Sequence, residues 1–413
     1  MNTRTQSIYR KGLKIRPFIF TILFTGLAYG FYHGVQDNYL AEIVQITKFE
    51  RGIVEFFREL PGLLLIFILA AMYRFSETKV FKIGTAIMLA GVVGILLLGS
   101  SKVMVILSMF IFSSGEHIVL SMKHSLALTL AKKGKGGASL GIVSSINHGG
   151  KILGFLTVTG LFLLFARIGI PKGAITGFRI VFIIAAVLLV LSTLIALTMK
   201  DQGNNVRRSR IYFNKKFSKY YMLEVFYGAR KQIFFTFGPY VLILFYGADT
   251  SVMAFLLAIC AAFGIVLSPL IGRLIDRLGY KTIMIGDTLI LIVVCFFYGF
   301  AHRIFPMHIA FIVVCINYVL DSVISLASMA SNVYVQDLSS TPEEMTATIT
   351  TGISVNHLIS VIIALVGGLI WEKLGIEVLF TMSALLGLAN SLYAMTIKKP
   401  ENPMMDYSQP SVE

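Results

Sequence analysis

Charge is what this sequence has least of. Asp, Glu, Lys and Arg make up 14% of its 413 residues, against about 25% in ordinary globular domains. So few charges cannot cover a protein of this size in water, which argues against a soluble chain of several domains. Acids are the scarcer sign, 21 against 36 Lys and Arg, for a formal net charge of +15. Cysteine is rare as well. Cys260, Cys295 and Cys315 lie in apolar segments at spacings that match no metal site, so they read as small buried hydrophobes. Alternating strands of about ten residues are missing, which excludes a transmembrane barrel. The glycine cluster KKGKGGASLG (132–141) lacks the G-x-x-x-x-G-K-[ST] spacing and follows no strand, so it reads as a flexible loop and not a phosphate cradle. No Walker motif is present, and no basic segment carries a nucleic-acid reader motif. A cleavable signal peptide is not apparent. The basic start runs into a long segment containing Tyr29, His33 and Asp37, as a retained first helix would.

Apolar residues, by contrast, make up 56%, and the mean hydropathy is +0.80. They fall in long blocks such as PFIFTILFTGLAYGFYHG and VFIIAAVLLVLSTLIALTM. A bilayer-spanning helix needs about 20 mainly apolar residues. The blocks predict twelve spans, near 17–40, 52–73, 81–100, 103–131, 138–166, 175–199, 220–246, 250–271, 282–301, 306–336, 344–370 and 376–397. The excess basic charge sits between them. Arg4, Arg10, Lys11, Lys14 and Arg16 precede the first span. Lys132, Lys133 and Lys135 separate spans four and five, and Arg207, Arg208, Arg210, Lys215, Lys216 and Lys219 fill a central loop. Under the positive-inside rule all of these face the cytoplasm. An even number of spans then places both termini inside, and Lys398 and Lys399 agree.

The longest polar stretch, residues 200–220, divides the spans six and six. The expected organisation is therefore a bundle over 1–199, a cytoplasmic linker over 200–219, a second bundle over 220–400 and a tail over 401–413. Three matches between the halves support a duplication. GRLIDRLGYKTIMIG (272–286) matches AAMYRFSETKVFKIG (70–84) at an offset of 202; SVNH (354–357) matches SINH (145–148); and Tyr-Gly recurs at 29–30 and 227–228.

Gly272, Asp276, Arg277, Gly279 and Lys281 reproduce the G-x-x-x-D-R-x-G-x-K signature of the major facilitator superfamily, between spans eight and nine. The chain resembles that family in span count, central loop and orientation. The resemblance implies an all-α membrane protein of two six-helix bundles, related by a pseudo-twofold axis, around a central cavity that opens to alternate sides. It also implies a conformational latch at the motif, with Gly272 allowing close helix approach and Asp276 stabilising one closed state. The first-half copy departs from the pattern, with Ala70, Arg74 and Glu77 in place of glycine, aspartate and glycine. Downstream, STPEEMT (340–346) reads as a helix start capped by Thr341, with Glu344 completing a capping box.

Ionisable residues inside spans cost about 2.5–3.5 kcal/mol each at mid-helix, so they mark cavities and function. In span one, Tyr29, Tyr32, His33, Gln36 and Asp37 share one helical face. Span seven repeats the period with Glu224, Tyr227 and Lys231, and Arg230 stands beside them; the Tyr-Gly match aligns Lys231 with His33. Span four carries Ser113, His117, Ser121 and His124 on one stripe and Glu116 and Lys123 on the next. Asp321 lies near the middle of span ten. His148 and His357 form the duplicated S-x-N-H element, and Lys151 follows His148 by one turn. Glu55, Arg58 and Glu59, near Pro61, read as an outer gate or structural pairs, with Glu55 and Arg58 in reach of each other.

With no nucleotide site, transport has to run on a gradient. The expectation is a multi-pass inner-membrane secondary transporter of a small polar solute, working as a monomer, with neither cofactor nor metal. Substrate contacts are assigned to Tyr29, Tyr32, His33, Gln36, His117, His124, His148, Lys151, Tyr227, Arg230, Lys231 and His357. Cations outnumber acids among these residues, which favours an organic anion or zwitterion. Glu116 and Asp321 are the candidate proton carriers, because a carboxyl in a dry site can hold a proton. Proton-driven drug efflux predicts a greasier cavity and a glycine-proline pair in span five, and GIVSSINHGGKILGF has no proline. A sensor on the same fold would need an output domain, and an enzyme would need a nucleophile–base pair; neither is recognisable. The topology has a direct check. A cysteine at Asn204 is expected to resist a membrane-impermeant thiol reagent in intact cells and to react after permeabilisation; labelling without permeabilisation would refute the assignment.

Overall fold

The computed structural model describes residues 8–9, 15–99, 101–132, 135–201 and 212–397. Arg4, Arg10, Lys11, Lys14, Lys133, Arg207, Arg208, Arg210, Lys398, Lys399 and the expected tail lie outside the described residues. The described chain is helical. Helix α1 (Ile15–Asn38) ends in a π turn (Tyr39–Ile43), followed by α2 (Lys48–Ala71), α3 (Glu77–Leu98), α4 (Lys102–Leu130), α5 (Gly136–Arg167) and α6 (Ile175–Leu197). The second half supplies α7 (Ser218–Leu244), α8 (Thr250–Leu278) and α9 (Tyr280–Ile304). Helix α10 runs over Met307–Ile324, passes through a 3-10 turn (Ser325–Ser328) and resumes over Met329–Leu338. Helices α11 (Pro342–Leu374) and α12 (Ile376–Met395) complete the second set.

Ten of these twelve helices are long and apolar enough to cross a membrane. The two that fall short, α2 and α7, are those that carry Arg51, Glu55, Arg58 and Glu59, and Glu224, Arg230 and Lys231. Charges lower their hydropathy, so such helices depend on partners within the protein. Local signals set the helix starts. Ser76 caps α3 by accepting from the Lys79 amide at 3.2 Å. Thr341 caps α11 by accepting from the Glu344 amide at 3.1 Å, and the Glu344 carboxylate reaches back to the Ser340 amide at 2.7 Å. The expected capping box is thus made one residue further out than its usual form.

Close packing of α1 on α5 rests on glycine. A Cβ on Gly154 would lie 2.7 Å from the Leu27 carbonyl oxygen and 2.8 Å from the Gly30 Cα, and one on Gly26 would lie 2.6 Å from the Asn147 carbonyl oxygen. Without side chains there, the two backbones approach and interlock, the usual means of helix association where lipid offers no hydrophobic drive. Helix α7 also meets α11 at a glycine, though there against side chains. A Cβ on Gly228 would lie 2.7 Å from Ile359 Cγ2 and 3.1 Å from the Asn356 side chain. Gly228 therefore stands where Gly26 stands, with Asn356 in the place of Asn147. That is the offset of 202 seen in the loop repeat, and the Tyr-Gly match is one helical turn out of step. Lys231 corresponds to Tyr29 and not to His33.

Packing groups the chain into two compact units. One comprises Met1–Thr47, Phe57–Ser209 and Ile243–Ile265; the other comprises Lys48–Phe56, Arg210–Leu242 and Val266–Glu413. Helices α2, α7 and α8 are each divided between them. In the first unit, α1 packs on α5 and α6, and α3 packs on α4. Asn38 donates to the Ala248 carbonyl at 3.0 Å, and Lys172 pairs with Asp249 at 2.9 Å. Asp249 also accepts from Ser251 and from the Val252 amide, at 2.6 and 3.1 Å, at the start of α8. Burial pushes the Asp249 carboxyl up, but these donors outweigh it and hold the group below its ordinary value. In the second unit, α9 packs on α12 and α10. There the Phe49 amide donates to Glu372 at 3.0 Å, and the Lys48 ammonium sits 5.5 Å from the centre of the Trp371 ring.

The glycine interface yields a paired test. Gly154→Leu is expected to lower the melting temperature, because overpacking costs about 1–3 kcal/mol. Gly160→Leu on the same helix, where a Cβ meets nothing within 4 Å, is expected to leave it unchanged. Equal effects in a thermal melt would show that the close approach is unimportant.

Candidate functional site

Polar groups gather at one place in each unit. In the second unit the place is set by the break in α10. The 3-10 turn interrupts the helical ladder, and the Tyr227 hydroxyl donates to the Ser325 carbonyl at 3.1 Å. Beside the break lies a cavity of about 220 Å³ whose wall includes Glu224, Tyr227, Lys231, Ser331, Asn332 and His357. Three expected substrate contacts, Tyr227, Lys231 and His357, thus come together from α7 and α11. Glu224 is buried. Ser331 donates to one of its oxygens at 2.9 Å and Asn356 to the other at 3.2 Å. Among the described residues, Lys231 has no hydrogen-bond or ion-pair partner.

Arg230 turns away from this cavity. It is 2% exposed and pairs with Asp287 of α9 at 2.9 Å, with its guanidinium 5.0 Å from the centre of the Tyr227 ring. Its partner Asp287 is not one of the acids singled out in the sequence. A smaller void of about 20 Å³ reaches Asp287 and shares Glu224, Tyr227, Ser328 and Ser331 with the cavity wall. Asp321 lies within electrostatic reach of Arg230 but forms no ion pair or hydrogen bond through its side chain among the described residues.

In the first unit, the polar face of α1 splits. The Tyr29 and His33 rings lie 4.0 Å apart, tilted at 33°, and stay half-buried. Tyr32 is 1% exposed and stacks on Phe112 at 3.8 Å, and Gln36 is buried as well. The packing of α1 against α4 and α6 thus takes up two residues of the expected substrate face. His33 faces Glu116 at 3.7 Å. The Lys151 ammonium lies 3.4 Å from the centre of the Tyr29 ring, a cation–π contact. Lys123 donates to Asn147 at 3.2 Å. His148 and His117 fold back on their own helices, each Nδ1 2.9 Å from a carbonyl oxygen four residues earlier, and His124 is exposed.

On α2, Arg51 pairs with Glu55 at 2.9 Å, and both are buried. Gln232 donates to the same Glu55 at 3.2 Å, and Arg51 lies 5.3 Å from the centre of the Tyr240 ring. Arg58 pairs with Glu59. Arg51 and Asp287 are the important residues that the sequence patterns did not single out. Both left signals: Arg51 stands four residues before Glu55, and Asp287 is a lone acid in the apolar run IMIGDTLILIV.

The loop motif needs a correction. Nothing lies within 4 Å of a Cβ built on Gly272, so it serves no close helix approach. Gly279 is required for its backbone, at φ +81° between α8 and α9. Lys281 donates to the Met395 and Ile397 carbonyls at 2.6 and 3.0 Å, closing the C-terminal end of α12. Lys82 does the same for α6 through the Met199 carbonyl at 2.7 Å. Asp276 and Arg277 are exposed, and the Asp276 side chain has no partner among the described residues. In the first-half copy, buried Glu77 accepts from Ser125, and also from Thr129 at 3.3 Å.

The sequence matches the family described as Major Facilitator Superfamily over residues 18–355 and again over 221–408. A search of curated proteins finds no match. Among solved structures, the chain is similar to a mutant of the nucleoside transporter NupG at 13% identity and a TM-score of 0.74, covering 92% of this chain and 98% of that one. It is similar to a POT family transporter in complex with 5-aminolevulinic acid at 12% identity and a TM-score of 0.71, covering 94% and 98%. It is also similar to a bacterial homolog of the human lysosomal transporter Spinster at 13% identity and a TM-score of 0.69, covering 92% and 95%. At such identities the likeness concerns the fold.

Removing one partner of a buried ion pair costs about 3–5 kcal/mol. Arg230→Gln and Asp287→Asn are each expected to lower the melting temperature, the double variant is expected to lose less than the two together, and Lys231→Gln is expected to melt as the parent does. Additive losses in a double-mutant cycle would show that Arg230 and Asp287 do not act as a pair.

Proposed function

Because the chain belongs to the Major Facilitator Superfamily, we propose that it is a secondary transporter that carries a small polar solute, an organic anion or zwitterion, across the cytoplasmic membrane by alternating access with a proton as coupling ion. The observation that carries the substrate class is Lys231. It lines a cavity in a membrane-embedded helix, and the described residues supply it with no partner. An ammonium held in such a place is costly unless something binds it. Lys151 makes a similar case in the first unit, where its contact is an aromatic ring. Arg230, by contrast, is taken by Asp287 and serves as scaffold.

The proton is assigned to Asp321 over Glu116. Glu116 has His33 beside it and lies within the field of Lys151 and His117, so its negative charge is met. Among the described residues, the charged group within reach of Asp321 is Arg230, and Arg230 already pairs with Asp287. Two carboxylates with one guanidinium leave an excess negative charge, and a proton on Asp321 removes it. The exposed carboxylate of Asp276 keeps the latch role that the family motif implies, as a group whose partner is met in another state of the transport cycle.

Proteoliposomes with an imposed pH gradient test this reading. Asp321→Asn is expected to abolish uphill accumulation while sparing exchange, whereas Glu116→Gln is expected to retain accumulation. Accumulation by Asp321→Asn at the parental level would remove Asp321 as the proton carrier.

A further inference from the structure

The cavity beside the α10 break holds one group of each charge sign, which feel each other's field but are not joined in an ion pair. Glu224 and Lys231 both line it, yet their charged atoms are not within ion-pair distance. We propose that this cavity selects a small zwitterion, with the ligand's ammonium on Glu224 and its acidic group on Lys231. The proposal rests on the reading above that the protein carries a small polar solute.

Glu224 receives two hydrogen bonds, one from the Ser331 hydroxyl and one from the Asn356 amide. Both donors are neutral, so they orient the carboxylate without cancelling its charge. A carboxylate has about four acceptor positions, so two remain for a ligand. Lys231 lies seven residues along α7, two turns away on the same face, with Tyr227 between them. The axial rise over that distance is about 10.5 Å. Side chains leaning into one cavity from the two positions hold their charges at a separation that a small molecule can bridge.

The energetics favour a ligand carrying both charges. A simple anion would satisfy Lys231 but face the field of Glu224. A simple cation would do the reverse. A zwitterion meets both groups at once and adds no net charge to the membrane-embedded site. Size narrows the choice. The cavity volume is about 220 Å³. It falls below the range of about 300–1,000 Å³ usual for drug-sized ligands. An amino-acid-sized solute fits these limits.

The pair also belongs to one half of the repeat. At the packing offset of 202, Glu224 corresponds to Ile22, a fully buried core residue, and Lys231 to Tyr29. A carboxylate at this position is therefore no requirement of the repeated helix contact; it stands where α10 breaks and the cavity opens.

The test uses the purified full-length protein and three matched ligand sets at constant ionic strength. These are glycine, alanine, β-alanine and γ-aminobutyrate; acetate, propionate and butyrate; and methylammonium and ethylammonium. Saturable thermal stabilisation by at least one zwitterion is expected, with the matched acids and amines at least tenfold weaker. Glu224→Gln is expected to weaken the zwitterion at least tenfold without weakening the matched carboxylate. Lys231→Gln is expected to weaken both. Should Glu224→Gln fail to fold, the parental panel and Lys231→Gln still decide. Carboxylates that bind as well as zwitterions, with no change in Glu224→Gln, would overturn the proposal and make Glu224 a structural residue while leaving an anion transporter intact. Silence of the parent toward every zwitterion would overturn it as well. Failure of the underlying transport reading shows separately, as absence of flux for any solute that binds.

Discussion

In an apolar surrounding, an embedded charge has to be met by the protein itself, and most of what distinguishes this structure follows from how that demand is handled. Where the partner is a second fixed charge, the result is scaffold. Arg51 with Glu55, Arg58 with Glu59 and Arg230 with Asp287 hold helices that carry too many charges to behave as simple apolar spans. Where the partner is a neutral donor or a ring, the charge is positioned but left in force. Glu224 between Ser331 and Asn356, and Lys151 over Tyr29, are of this second kind. Lys231 and Asp321 go further, since the described residues offer their charged groups no direct contact. Function is read from these incompletely met charges.

The helix framework explains why such charges can be held in place. Glycine–asparagine contacts let α1 lie against α5 at backbone distance and let side chains of α11 seat on Gly228 of α7, and Gly26 and Gly228 hold the same place in the two halves. The duplicated contact leaves the adjoining faces of α1 and α7 to diverge. The first half has placed aromatic rings and histidine there, and the second an acid, a lysine and a buried arginine pair. The broken α10 adds a local irregularity where a carbonyl is met by a tyrosine hydroxyl, and the cavity opens beside it.

The loop motif shows how a signature and its physical cause can separate. Gly279 is explained by its backbone angle and Lys281 by the carbonyls it closes. Gly272 has open space around it, so the close approach that a glycine suggests in a membrane helix is absent there. In the first half the comparable contact comes from Lys82, three residues beyond Lys79, which is the counterpart of Lys281 at the offset of 202 and pairs instead with Asp201 at 3.4 Å. Closure of the last helix of each half is thus made by lysines at different positions in the two loops.

Composition and periodicity by themselves determined the class of protein, its helical spans, the helix start at Thr341 and the helical faces on which the embedded polar residues lie. These follow from local rules: the length of an apolar run, the 3.6-residue turn and the hydrogen bonding of a helix end. The tertiary structure alone decided which acid meets which base. Arg230 and Asp287 are 57 residues apart, and no spacing rule joins them. It also decided that Tyr32 and Gln36 face the core while Tyr29 and His33 do not, and that the repeat aligns one turn away from its most visible dipeptide match. Periodicity places a residue on a face of its own helix, whereas the rotation and depth of that helix against its neighbours are set by packing, and in this chain the packing register comes from the glycines that let α1 meet α5 and α7 meet α11.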